Sequence, residues 1–331
     1  MTLAYKDQWI WDFWIAQDGE DFHLFHLQAD RSLGDENERH RNCRGFGHAV
    51  SNDLVNWDKR GTCFEVSPGP AWDDMTTWTG SVVKGDDGLW HLFYTGNAKA
   101  DECTKQRIGH ATSTDLHNWR RVGNGLVIDI NTDWYEEYDP NVWDGRAMRD
   151  PWVMRDPDGG GWLMYFTGRV PYGEEMNARG CIGFARSKDL NTWTLEPPVH
   201  AGGEAGQLEV PQVFKIGNKW YCLFCNAGHH WSSAYAASYP GKPVWGTHYL
   251  MSDSHLGPWT IAPGKFLDGD FPCRRYAGRI IEKDGQLYLM TFDYWDDDNV
   301  FRGTIGAPIP VSVDAETGFL TLNQPAAAKA A

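Results

Sequence analysis

An eleven-residue pattern occurs three times in this chain and limits its fold more than any other feature. Gly47-His-Ala-Val-Ser-Asn-Asp53-Leu-Val-Asn-Trp57 returns as Gly109-His-Ala-Thr-Ser-Thr-Asp115-Leu-His-Asn-Trp119 and as Gly183-Phe-Ala-Arg-Ser-Lys-Asp189-Leu-Asn-Thr-Trp193. A weaker copy, Leu250-Met-Ser-Asp-Ser-His-Leu-Gly-Pro-Trp259, follows. Self-similarity at a period of roughly 65 residues belongs to solenoids and propellers, not to a chain with one irregular core. The Ser and Asp of the element suit a tight turn, where both side chains bond local backbone amides. The Trp is expected to pack back on its own blade, and the element as a whole to be scaffold.

A second repeat runs out of phase with the first. Short apolar-aromatic segments lie at Phe22–Phe25, Trp90–Tyr94, Trp162–Phe166, Trp220–Phe224 and Leu287–Phe292. Each follows a turn signal: Gln17–Asp21, Gly85–Gly88, Asp156–Gly161, Ile216–Lys219 and Glu282–Gly285. Asp-Gly and Gly-Asn between apolar runs mark β-hairpins. Five such units, with little helical periodicity between them, read as a single-domain, all-β, five-bladed β-propeller over residues 1–323. The low-complexity tail 324–331 reads as frayed.

Composition narrows the class of partner. Lys and Arg number 30 against 45 Asp and Glu, a net charge of −15, which repels nucleic acid and anionic membrane surfaces. No apolar run reaches the length of a membrane span, and the N-terminus shows no basic and apolar leader. The seven cysteines are scattered, and the one CxxC pair, Cys222 and Cys225, falls on opposite faces of a strand. The expectation is therefore reduced thiols in a cytoplasmic protein without metal or cofactor. The oligomeric state is left open. Aromatic residues make up 14%, with 18 Trp, which suits a surface for sugar rings as well as a core between blades.

In a propeller the first strand of each blade lines the central channel. Three of these strands carry a carboxylate among apolar neighbours: Asp12, Asp150 and Glu209. A charge placed there is costly unless it is paired or functional. Paired carboxylates are what glycoside hydrolysis needs, one protonated to assist the leaving oxygen and one ionised to attack or to activate water. Crowding acids in a desolvated funnel separates their pKa values. Arg149 is expected to hold Asp150 ionised.

These elements resemble the invertase- and levanase-type β-fructofuranosidases and their levansucrase relatives. The resemblance is carried by Trp9-Ile-Trp11-Asp12, His23-Leu-Phe25, residues 47–57, Thr79-Gly-Ser81-Val-Val83, Arg149-Asp150-Pro151-Trp-Val153 and Glu209-Val210-Pro211, in family order. It implies cleavage of terminal β-fructofuranosyl residues from sucrose or short fructo-oligosaccharides, by a retaining double displacement that can also transfer the fructosyl group. Asp12 would be nucleophile, Glu209 acid/base, and Asp150 with Arg149 the stabiliser of the transition state. Gln28, Trp78, Ser81, Trp11 and Arg275 would contact the sugar. The chain departs from the family at Trp11, which replaces an Asn, at Phe13-Trp14-Ile15 and at Val210; the five blades also leave no residues for the family's C-terminal β-sandwich. Two alternatives follow, a propeller hydrolase acting on arabinofuranosides or xylosides and a carbohydrate-binding propeller without activity.

Several other groups have competing readings. His229-His230-Trp231 is expected at a channel rim or on plain surface, and Asp296–Asp298 as a solvated acidic turn. One of Arg274, Arg275 and Arg279 is a candidate partner for the funnel carboxylates. Tyr294 and Trp295 read as core packing or as a stacking platform. The Trp134–Asp139 segment is a candidate wall of the pocket mouth.

Overall fold

The computed structural model describes residues 3–34 and 36–323, so the tail 324–331 lies outside the described residues. Five antiparallel sheets follow one another along the chain. Blade one is built from Gln8–Asp18, Asp21–Asp30, Gly45–Ser51 and Asp58–Glu65, and blade two from Thr76–Lys84, Trp90–Asn97, Arg107–Ser113 and Arg120–Ile128. Blade three comprises Met148–Arg155, Trp162–Arg169, Gly180–Ser187 and Trp193–His200. Blades four and five open with Glu209–Ile216 and Arg275–Lys283, and each carries one additional short strand on the side of its sheet. The first strands contact one another around the centre. The ring is closed where Leu3 and Ile305 exchange backbone hydrogen bonds of 3.0 and 2.9 Å. The expected five-bladed propeller is what the chain forms.

Each apolar-aromatic segment is the second strand of its blade, and each turn signal is the hairpin before it. These strands are buried on both faces, so they read as continuous apolar runs. The repeated element joins the third strand to a fourth one absent from the sequence reading. That outer strand is largely exposed in blades one and two and carries no apolar alternation to betray it.

The turn chemistry is the expected one. Ser51, Ser113 and Ser187 each donate to the carboxylate of the Asp two residues on, at 2.9, 3.0 and 3.1 Å. Each Asp then accepts two backbone N–H groups from the turn. The following Leu54, Leu116 and Leu190 all adopt φ 63° and bury their side chains. The tryptophan differs from expectation. Trp119 of blade two meets the edge of Phe25 in blade one, and Trp193 of blade three meets Phe93 in blade two. It is a wedge between blades, because the twist of stacked sheets opens a gap that a large ring fills.

The histidines of the same repeats are scaffold too. His23 Nδ1 lies 3.1 Å from His48 Nε2, and His91 Nδ1 lies 2.8 Å from His110 Nε2. His48 stacks on Phe25 and His110 on Phe93. Burial lowers His48 and His110 to about 3, so each is a neutral ring within its ring-to-ring contact.

Candidate active site

All five first strands break their pairing register at one level. The irregularities fall at Trp11/Phe13, Trp78/Gly80, Arg149/Trp152 (opposite Tyr165/Thr167), Glu209/Gln212 and Tyr276/Arg279. A bulge inserts an unpaired residue and re-aims the side chains beside it. Two rings of side chains result. The bulged residues are Asp12, Thr79, Asp150, Val210 and Ala277, and the last three have φ 57°, 54° and 50°. The residues just before the bulges are Trp11, Trp78, Arg149, Glu209 and Tyr276. Pro151 and Pro211 occupy bulge positions where a missing N–H leaves no ladder bond unmade.

Glu209 therefore does not stand at a position equivalent to Asp12 and Asp150. It is one residue earlier, level with Arg149 and Tyr276, and this offset brings it against both. Arg149 Nη2 donates to Glu209 Oε1 at 2.6 Å, while Arg149 Nε sits 3.4 Å from Asp150 Oδ2. The Tyr276 hydroxyl donates to Glu209 Oε2. Asp150 Oδ2 accepts from Thr167 Oγ1 at 2.7 Å and from the Val210 N–H at 3.1 Å. Asp12 Oδ2 accepts from Thr79 Oγ1 at 3.0 Å. All three acids open into one cavity of about 780 Å³.

The environments separate the three acids. Burial, then the charges of Asp150 and Glu209, push Asp12 up to about 7, against the hydrogen bond from Thr79 and the charge of Arg279. Burial also raises Asp150, although Arg149 and Thr167 oppose it. At Glu209 burial is outweighed by Arg149, His230 and the Tyr276 hydroxyl, which together hold the carboxyl below its usual value. The guanidinium thus opposes protonation of both Asp150 and Glu209 but, contrary to expectation, brings only Glu209 below its usual value, and the funnel favours the protonated forms of Asp12 and Asp150.

Of the residues expected to contact a ligand, Trp11, Trp78 and Arg149 line the cavity. Gln28, Ser81 and Arg275 do not. Gln28 follows Leu27, whose side chain lines the cavity, so alternation turns it away; it donates to Thr62 Oγ1 at 2.8 Å. Ser81 lies below the bulge and accepts the Val153 N–H, tying blade two to blade three. Arg275 precedes Tyr276, faces the other way and pairs with Asp268 at 2.6 Å. None of the three candidate arginines forms an ion pair with a funnel carboxylate. Arg274 pairs with Asp270 and Asp297, and Arg279 donates to the carbonyls of Phe13, Val210 and Pro211 beneath the acids.

The rim is built from loops. Helix Glu36–Arg41, between the second and third strands of blade one, supplies His40, which meets Trp11 and Trp78 edge-on. Trp78 Nε1 donates to the His40 carbonyl at 3.0 Å. His229 and His230 line the opposite wall with Trp245, which places them at the channel rim. Tyr294 also lines the cavity and donates to Glu36 at 2.6 Å, whereas Trp295 packs in the core. The Trp134–Asp139 segment is not a cavity wall. Tyr135 is buried, and Glu136 pairs with Arg169 and Arg179 inside the scaffold. Asp144 and Gly145, a few residues on, do line the mouth. Asp296–Asp298 form a local turn that pairs with Arg302 and Arg274. Tyr276, His40, Gln106, Gln207 and Trp245 were missed by sequence reasoning. Tyr276 was recoverable, since aligning the five first strands on their bulges places it level with Glu209.

Fold and site together define a five-bladed propeller with an acidic funnel at one end of its channel. The chain belongs to the Glycosyl hydrolases family 32, whose N-terminal domain it matches over residues 15–286. That match includes Asp150 and Glu209 and begins just after Asp12. A raffinose invertase of Escherichia coli is 25% identical over 286 residues, covering 84% of this chain and 52% of the relative. A fructan 6-exohydrolase of Triticum aestivum is 30% identical over 179 residues, 52% of this chain and 27% of the relative. The chain spans about half, or less, of the length of the curated relatives it matches. Among solved structures, an inulosucrase from Halalkalicoccus jeotgali bound to kestose superposes with a TM-score of 0.79 at 21% identity, covering 96% of this chain and 87% of the other. Bacillus subtilis levansucrase gives 0.72 at 16% identity, over 96% and 86%. At these identities the two structures speak for the fold alone.

Proposed function

We propose that this chain cleaves terminal β-fructofuranosyl residues from sucrose or short fructo-oligosaccharides by a retaining double displacement. The observation that carries the reading is the convergence of Asp12, Asp150 and Glu209 on one cavity, with Arg149 spanning the last two. Family membership and relatives named for raffinose, fructan and sucrose-6-phosphate hydrolysis support the sugar class.

In the first step an ionised Asp12 oxygen bonds to the anomeric carbon. The bond to the leaving oxygen breaks, and Glu209 gives that oxygen its proton. In the second step Glu209 takes a proton from water, the water oxygen bonds to the anomeric carbon, and the ester to Asp12 breaks. Asp150, fixed by Thr167 and the Val210 N–H, accepts hydrogen bonds from ring hydroxyls. Burial favours the protonated form of Asp12 and Arg149 the ionised form of Glu209, so the first step needs a proton moved to Glu209 and Asp12 ionised. The reactive pair is singly protonated and titrates as a pair. A sugar hydroxyl in place of water as acceptor gives fructosyl transfer by the same second step. The cytoplasmic setting is part of the proposal, supported by seven cysteines that stand as free thiols.

Product analysis with sucrose, inulin-type oligomers and an arabinofuranoside panel tests the proposal, with Asp12→Ala as control. Free fructose that disappears in the variant is the expected result. Pentose release without fructose would overturn the sugar assignment and keep the acids in their roles. Binding of every sugar with no turnover would overturn the enzyme reading.

A further inference from the structure

The fourth copy of the repeated turn departs from the other three at one informative place. Where blades one to three carry Asp then Leu, blade four carries Ser254 then His255. Leu54, Leu116 and Leu190 are buried apolar plugs, and an imidazole takes that position in blade four. His255 is 5% exposed, and its Nε2 has no hydrogen-bond partner. A buried polar atom left unpaired is costly, and the aligned residue of the three sister turns, a Leu at φ 63°, carries no such atom.

The unpartnered nitrogen faces two carboxylates from another blade. Asp156 Oδ1 and Asp158 Oδ2 each lie 3.9 Å from His255 Nε2, beyond hydrogen-bond reach. Both belong to the hairpin between the first two strands of blade three, at the end of the channel away from the acidic funnel. Among the described residues these three form the one group of His, Cys, Asp or Glu side chains able to hold a metal ion together.

We propose that Asp156, Asp158 and His255 form a divalent transition-metal site, best suited to Zn²⁺, that clips blade three to blade four. A set of one imidazole and two carboxylates is a borderline donor set that favours Zn²⁺ over Ca²⁺ or Mg²⁺. The three ligand atoms fall within 4.8 Å of one another, against about 3.4 Å between ligands around a tetrahedral ion at about 2.1 Å, so the loops must draw in to surround it. Asp158 is exposed and free to make that movement, and its side of the site is open for water to complete the coordination. The supporting contacts suit the role. Arg186 Nη1 holds Asp156 Oδ2 at 3.3 Å and leaves Oδ1 toward the imidazole. The Asp158 N–H donates to Asp156 Oδ1 at 2.9 Å, and Tyr165 donates to the His255 carbonyl at 3.0 Å. These bonds fix both loops much as outer partners fix the ligands of structural metal sites. The site stands apart from the proposed hydrolysis and does not depend on it.

Titration of chelator-treated full-length protein with Zn²⁺ by calorimetry, together with thermal melts with and without the ion, tests the site. The wild-type chain is expected to bind one Zn²⁺ and to melt several degrees higher with it. His255→Leu restores the residue of the sister turns, so it is expected to fold, to melt at or above the metal-free wild type, and to lose both effects. Asp158→Asn alters an exposed side chain and is expected to weaken binding at least tenfold without changing the metal-free melt. Absence of binding to the wild type would overturn the proposal. So would equal binding by both variants, which would move the ion elsewhere, for example to His229 and His230.

Discussion

Asp53 and Asp12 belong to the same blade and differ in almost every physical respect. Asp53 sits in the turn after the third strand, where the Asn56 N–H and side chain and the Val55 N–H hold its carboxyl well below the usual range. Asp115 and Asp189 are held down in the same way in their own turns, first by Asn118 and by the Thr192 N–H respectively. Asp12 sits in a bulge of the first strand, desolvated and facing two other acids, and is raised to about 7. Backbone donors in water make a carboxylate a structural acceptor; the same group among like charges in a funnel becomes a reactive one. The repeat multiplies the first kind from blade to blade. The second kind arises only where the strands converge.

The largest contrast is expected from single substitutions at the two places. Asp12→Asn should lower fructose release on the order of 10⁴-fold or more, with an unchanged circular dichroism spectrum, because the proposed nucleophile has no substitute. Asp115→Ala should leave specific activity within about twofold. A funnel variant that retains activity, or a turn variant that loses it while folded, would break the comparison. Glu209→Gln comes next, with a loss of about 10² to 10⁴ on sucrose and a smaller one on a substrate whose leaving group needs no proton. Steady-state kinetics on the two substrates measures the difference.

Tyr276→Phe should cost about tenfold in kcat and move the acid limb of the pH profile upward, because Glu209 loses a hydrogen bond that holds its pKa down. The alkaline limb of the wild type should lie near 7, where the second proton leaves the Asp12 and Glu209 pair. A profile that is flat through pH 7 would overturn the upward shift of Asp12.

The smallest effects are on stability. Asp12 binds its proton more tightly folded than unfolded, so its stabilising contribution is complete below about 4 and is lost as pH rises toward 7. Asp12→Asn should therefore raise the melting temperature more at pH 8 than at pH 4. The turn aspartates have the opposite sign: their contribution is present above their unfolded pKa and is lost as pH falls. Asp115→Ala should lower the melt by about 2 °C at pH 7, from lost hydrogen bonds of about 1 kcal/mol in water. Differential scanning fluorimetry across pH reads both slopes.

The sequence by itself determined the number of blades, the hairpins and the turn aspartates. Each of these depends on residues a few positions apart: Ser51 with Asp53, Asp156 with Gly161, or an apolar run bounded by Asp-Gly. It also picked out Asp12, Asp150 and Glu209, since a carboxylate inside an apolar run is conspicuous without any partner being known. Only the tertiary structure decided what surrounds them. The one-residue offset of Glu209, the turn of Arg275 and Gln28 away from the cavity, and the approach of Tyr276 across 67 residues all follow from where each strand slips its register. Register is a property of a strand and its neighbour, and charge regulation is a property of everything that excludes water from a group. Neither is written in the spacing of residues along one chain, and so the raised pKa of Asp12 and the approach of His255 to blade three appear only once the blades have closed.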